Sequence, residues 1–134
     1  LINLLSKEKK LGKKKNFIFF GSSNDIKHTK KIIKHIKKSR VRNLCGKLDL
    51  IEVTAYLKNC KIFIGNDSGL MHIASASGIP TLGLFGPSLE NRYAPKGSKA
   101  YYIRTKKTFK QLTGKKDFNW DTKKNLMTSL SLII

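Results

Sequence analysis

The stretch Ile64–Ser88, IGNDSGLMHIASASGIPTLGLFGPS, constrains the fold of this chain more than any other. It reads as a strand, a glycine-bearing turn, a short helix of small residues, a Gly-Ile-Pro break, a second strand and a Gly-Pro loop. Strands alternating with helices are joined by right-handed crossovers, which makes a mostly parallel sheet covered by helices. The same run sets helix-start N–H groups, a carboxylate, a hydroxyl and an imidazole close together in sequence. An anionic ligand such as a nucleotide diphosphate needs that combination.

The flanking sequence continues the alternation. Leu1, Ile2, Leu4, Leu5 and Leu11 have roughly helical spacing, closed by Gly12. Phe17–Phe20 is a short apolar run suited to a buried strand. Over Ile26–Lys38, the residues Ile26, Ile32, Ile33 and Ile36 form a stripe among lysines, as on a helix lying against a sheet. Val41–Cys45 is a weaker strand. Asp49 followed by Glu52 is a variant of the capping box, opening a helix Leu50–Asn59 expected to bury Ile51, Ala55 and Tyr56. Strands at Ile62–Ile64, Thr81–Phe85 and Tyr101–Ile103 and helices at Leu70–Ser77 and Asp121–Leu132 complete the order, with Ser88–Ala100 and Lys106–Asn119 irregular. The fold class is α/β, with a Rossmann-like parallel sheet and helices on both faces. Gly21, Gly65 and Gly86 each follow a proposed strand end, and ligands of such sheets bind along that shared edge.

Composition narrows the function classes. At 134 residues and 40% apolar content the chain is one domain with a real core, and no run approaches a membrane span. It opens on Leu1 inside a helix-like pattern, as a fragment would. The net charge of +20 comes mostly from lysine, since Arg40, Arg42, Arg92 and Arg104 are the arginines. Nucleic-acid readers rely on arginine forks and stacking aromatics, which are not interleaved here. The lysines fit solvated helix faces, or docking on an anionic membrane surface or lipid-linked acidic substrate. Cys45 and Cys60 lack metal-ligand spacing and read as small packed residues.

Several residues could carry chemistry. Asp67 or Ser68 can cap the helix after the Ile62–Ile64 strand, and the free amides of Gly69 and Leu70 then form an anion site. His72, one turn on, can donate to a phosphate or fix Asp67, or it packs as an ordinary helix residue. Gly86 and Pro87 form either a plain turn or a wall of a sugar-nucleotide crevice. Asp25, after Gly21-Ser22-Ser23, caps the next helix or accepts from a ribose. Gly46 and Lys47 make a turn or line a base pocket. There is no metal-ligand cluster, no defensible catalytic triad, and neither a Walker pattern nor G-x-G-x-x-G.

Taken together, Asn43-Leu44-Cys45-Gly46-Lys47, Asp49-Leu50 and the Ile64–Ser88 run resemble the C-terminal domain of family 9 glycosyltransferases, the ADP-heptose:lipopolysaccharide heptosyltransferases. The segment D-S-G-x-x-H-x-A-x-A-x-G-x-P ending in L-F-G-P is specific, and the similarity spans about Phe17–Ser88, fading after Pro95. The resemblance implies a GT-B fold of two Rossmann-like domains, with the ADP-sugar held by the C-terminal one and the acceptor and catalytic base by the N-terminal one. It implies that Asp67, Ser68, Gly69, Leu70 and His72 contact the donor diphosphate, with Asp25 or Ser23 in place of the ribose-binding acid and no metal or other cofactor. The partners implied are the nucleotide-sugar donor ADP-heptose, a lipid-linked saccharide acceptor at an anionic membrane surface, and the N-terminal domain, with no specific nucleic acid. The location implied is the cytoplasm, peripheral to the inner face of the membrane.

A family C-terminal domain opens with a strand and a phosphate-binding lysine loop, and this chain starts inside the following helix. Residues 1–134 are therefore expected to be a partial donor-binding domain, with 1–15 a truncated leading helix and linker and 106–134 a tail. No ladder is expected between the Phe17–Phe20 and Ile62–Ile64 strands, and no sugar transfer by the chain alone. The alternatives are another GT-B transferase with a different nucleotide sugar, or a basic nucleic-acid-binding α/β module.

Overall fold

The computed structural model describes residues 15–114, 118–119 and 126–127. The chain divides into two compact units, Leu1–Val53 and Thr54–Ile134. The helix expected over 1–11 lies outside the described residues, as does the one over 121–132 apart from residues 126–127, which form a turn rather than a helix. No described helix is long and apolar enough to cross a membrane.

In the first unit, strand β1 (Phe17–Phe19) pairs in parallel with β2 (Val41–Asn43), Phe17 opposite Val41. Helix α1 (Ile26–Ile33) joins them. It stops at Ile33, short of Ile36, the last residue of the apolar stripe. Its buried side chain is Thr29, whose Oγ1 donates to the Asp25 carbonyl at 2.7 Å and lies 3.4 Å from buried Cys45 Sγ. Ile36 and Val53 complete this core. Gly46 turns the chain after β2 with φ +67°, and its N–H donates to the Gly21 carbonyl at 2.8 Å. A Cβ there would stand 2.7 Å from Ser23 Oγ, so only glycine fits.

Helix α2 (Leu50–Lys58) starts as its sequence dictates. Glu52 N–H donates to Asp49 Oδ1 at 2.8 Å, and Asp49 N–H donates to Glu52 Oε2 at 2.9 Å. Its buried face differs from the expected one. Ile51 is 82% exposed and Ala55 is exposed, Tyr56 is half-buried, and Val53 and Leu57 are buried. The sequence carries two apolar pairs four apart, Ile51–Ala55 and Val53–Leu57; the second, ending in a leucine rather than an alanine, offers more apolar area to bury.

In the second unit, β3 (Phe63–Asn66), β4 (Thr81–Phe85) and β5 (Ala100–Arg104) form a parallel sheet in that order. Helix α3 (Gly69–Ala76) makes the crossover from β3 to β4. The central β4 is buried at four of its five positions, and Met71, Ala74 and Phe85 are fully enclosed. Gly83 permits this: a Cβ on it would meet Met71 Sδ at 2.7 Å and the Phe85 ring at 2.8 Å. Helix α3 ends at Gly78, φ +76°, and Pro80 prevents its continuation. Ile62 is 53% exposed and lies before β3, while Gly65 sits within that strand opposite Gly83 rather than after it.

Two short helices replace expected irregular stretches: α4 (Glu90–Tyr93) and α5 (Phe109–Thr113). The start of α5 is a capping box: Gln111 N–H donates to Thr108 Oγ1 at 3.2 Å and Thr108 N–H to Gln111 Oε1 at 2.8 Å. The α/β class with parallel strands is as read from the sequence. Strands β1 and β3 fall in different sheets, and no ladder joins them among the described residues.

Candidate functional site

The C-terminal ends of β3 and β4 lie side by side, with Asn66 opposite Leu84. The loops leaving them carry Asp67-Ser68 and Gly86-Pro87 from the same edge of the sheet. Ser68 is the N-cap of α3, extended at φ −163° and ψ 163°. Its carbonyl accepts from Met71 N–H at 3.1 Å and His72 N–H at 3.4 Å. Its side chain, however, makes no capping hydrogen bond. Gly69 and Leu70 precede the first intrahelical bonds, so their N–H groups have no carbonyl of their own helix. A Cβ on Gly69 would meet nothing within 4 Å. An unused hydroxyl, two first-turn amides and open space thus coincide at the positive end of a helix dipole.

Asp67 and His72 flank this point. His72 Nε2 stands 4.0 Å from Asp67 Oδ1, with the imidazole 49% and the carboxylate 22% exposed. At that distance the two are not hydrogen-bonded, and both are accessible to a ligand. Asp67, Ser68, Gly69, Leu70 and His72 therefore form one constellation.

The remaining candidates are placed differently. Asp25 belongs to the first unit, where its Oδ2 accepts from Ser22 N–H and Ser22 Oγ, both at 2.8 Å. Capping is thus the role its geometry displays. Gly86 is buried, and Met127 Sδ and the Leu126 carbonyl occupy the side where a Cβ would project. Pro87 is half-buried beside it. Gly46 is in a turn, as noted above.

Sequence reading did not single out Arg104. It ends β5 opposite Phe85. Its Nη1 donates to Glu90 Oε2, and its Nη2 donates to the carbonyls of Gly86 and Lys107, both at 3.1 Å. Its buried Nε has no partner among the described residues. The guanidinium hydrogen bond holds the Glu90 carboxyl below its usual range, with burial opposing. One side chain thereby ties down the Gly86 turn, α4 and the loop after β5. The available signal was a lone arginine closing an otherwise uncharged strand at the ligand edge, fourteen residues after an acid.

The family model described as Glycosyltransferase family 9 (heptosyltransferase) matches residues 8–119, well past the point where the motif similarity fades. Lipopolysaccharide heptosyltransferase 2 of Salmonella typhimurium is 34% identical over 90 residues, covering 65% of this chain and 26% of that protein. Lipooligosaccharide heptosyltransferase 2 of Haemophilus influenzae is 44% identical over 62 residues, covering 46% and 18%. The chain thus spans about a quarter or less of these two relatives. Among solved structures, the family 9 glycosyl transferase from Veillonella parvula superposes with a TM-score of 0.75 at 22% identity, over 97% of this chain and 36% of that one. ADP-heptose lps heptosyltransferase II of E. coli gives 0.70 at 30% identity, over 79% and 33%. Parallel α/β architecture, motif and family match agree, and the chain belongs to glycosyltransferase family 9, the heptosyltransferase family.

Proposed function

We propose that this chain is the donor-binding half of a heptosyltransferase, holding ADP-heptose while the sugar passes to a lipopolysaccharide core acceptor. The observation that carries the reading is Ser68, a helix N-cap whose hydroxyl caps nothing and stands beside the free first-turn amides of Gly69 and Leu70. In this reading these groups hold the diphosphate. As the bond from the anomeric carbon to the diphosphate oxygen breaks, charge grows on the leaving ADP. The amides and helix dipole are aimed at that charge before it develops, which lowers the barrier. His72 donates to a phosphate oxygen and Asp67 accepts from donor hydroxyls. Pro87, half-buried beside the buried Gly86, walls the crevice.

The catalytic base and acceptor contacts belong, in this reading, to an N-terminal domain beyond the chain's share of its relatives. The chain alone then binds the donor without transferring it. Its lysine-rich surface suits peripheral docking on the anionic inner face of the cytoplasmic membrane.

The test is calorimetric titration with ADP, GDP and UDP at moderate salt, on the chain and on Ser68→Ala. Saturable binding that prefers ADP and falls at least tenfold in the variant is expected, since a charge-assisted hydrogen bond contributes roughly 1.5–3 kcal/mol. Binding indifferent to the base and to Ser68, and falling steeply with salt, would replace this reading with non-specific polyanion binding.

A further inference from the structure

Arg104 fixes one peptide plane at the ligand edge of the second unit. Its Nη2 donates to the Gly86 carbonyl at 3.1 Å. That carbonyl belongs to the Gly86–Pro87 peptide, which is planar, so a bond that holds the oxygen also holds the plane from which the Pro87 ring grows. The backbone by itself restrains this plane weakly. Met127 Sδ and the Leu126 carbonyl fill the side where a Cβ on residue 86 would project, so glycine is required there. Glycine restricts the peptide that follows it least. Pro87 has no N–H with which to anchor itself. The β4–β5 pairing ends before the turn, with Thr105 N–H donating to the Phe85 carbonyl at 2.9 Å. Arg104 takes hold where the ladder stops.

The residue type matters as well as the position. Its Nη1 is committed to Glu90 Oε2, and Nη2 donates also to the Lys107 carbonyl at 3.1 Å. One planar fork thus serves three acceptors on separate segments, Gly86, Glu90 and Lys107. A lysine ammonium, a point donor on a flexible stem, does not reproduce that geometry. The arginine side chain is only 20% exposed, and its buried Nε has no partner among the described residues. A buried N–H left unpaired is destabilising. Departures of this kind from the most stable arrangement are characteristic of functional positions.

We propose that Arg104 is a positioning residue for the nucleotide-sugar donor, holding Pro87 through the Gly86 carbonyl so that its ring packs against the bound molecule. The inference rests on the proposed donor reading. The Asp67–His72 constellation leaves the end of β3, where Asn66 stands opposite Leu84, and Pro87 leaves the same edge just past β4. Arg104 touches no donor atom and acts through Pro87 alone.

The experiment is a double-mutant cycle read by ADP calorimetry, at a temperature where circular dichroism shows every variant folded. Arg104→Gln should weaken ADP roughly three- to thirtyfold, within the range of coupling between members of one hydrogen-bond network. Arg104→Lys should weaken it too, because an ammonium cannot serve all the acceptors. Pro87→Ala should also weaken ADP, and adding Arg104→Gln to it should cost no more than about twofold further. Glu90→Gln keeps an acceptor for Nη1 and leaves the Gly86 bond, so it should lower the urea midpoint while ADP affinity stays within about twofold. Equal losses from Arg104→Gln in the parent and in Pro87→Ala overturn the proposal, since a merely structural role is additive. So does an ADP affinity that Ser68→Ala weakens and Arg104→Gln does not. Ser68→Ala without effect overturns the donor reading instead, and this inference with it. One measurement needs no substitution: in the unaltered chain the Pro87 ring ¹³C signals should shift along the same ADP isotherm as the Gly69 and Leu70 amides. Pro87 signals that stay still while those amides move overturn the proposal.

Discussion

Replacing Gly69 with alanine should move stability and binding in opposite directions. Gly69 is the first residue of α3, its φ lies outside the left-handed region, and a Cβ there meets nothing within 4 Å. In the unliganded protein the added methyl costs no contact and restricts the unfolded chain. A gain of about 0.4–1 kcal/mol follows, or about 1–6 °C in Tm for a domain of this size. Yet Cα–Cβ bonds tilt toward the helix N-terminus, so the methyl points into the space proposed for the diphosphate. A loss of tenfold or more in ADP affinity is expected. Ligand linkage turns this into a crossing that one instrument can read. At a hundredfold excess over its Kd, ADP stabilises the parent by about 2.7 kcal/mol, whereas the tenfold weaker variant gains about 1.4 kcal/mol. Melting curves by calorimetry, with and without ADP, should therefore show the variant more stable when free and less stable when loaded. A variant that melts lower without ligand refutes the steric argument. One that keeps the full ADP shift refutes the placement of the diphosphate.

Other consequences are open to measurement. Gly46→Ala forces a Cβ into the left-handed region against Ser23 and should cost at least about 1–2 kcal/mol, read as a lower urea midpoint. Phe85→Ala empties a fully buried site and should cost about 3–5 kcal/mol by the same assay. Glu90 has a folded pKa below its ordinary value of 4.5, so the stabilisation from its Arg104 partner is present above that value and lost as pH falls through the folded one. Urea midpoints between pH 3 and 6 should show a decline on the acid side that Glu90→Gln lacks; an identical slope in the variant would mean the pair contributes nothing.

Those parts of the fold governed by local rules were legible in the sequence. Thr81–Phe85 is a strand as read, Asp49 and Glu52 cap as their spacing demands, and Gly78 with Pro80 stops α3. What failed depended on choices the pattern leaves degenerate. Ile51 and Val53 begin equally periodic apolar pairs, and packing selects the second. Helix α4 is a single turn, too short for any periodicity to register. Within the site, D-S-G-x-x-H was visible because helix-start chemistry is local. Arg104 was not, because its bonds to Gly86 and Glu90 span 18 and 14 residues and exist only once β4 and β5 pair.

That arginine also sets how the second unit can move. A turn between a strand and a one-turn helix ordinarily absorbs displacement, which is why loops drift while sheets hold still. Here Arg104 grips the turn at the Gly86 carbonyl and the helix at Glu90, and it grips its own following loop at Lys107. Turn, helix and strand end become one stiff bracket, with Arg92 two residues along its arm. A ligand that presses on the turn therefore cannot be accommodated locally. The push is shared among the Gly86 turn, the start of α4 at Glu90 and the loop at Lys107, the three points that Arg104 holds together.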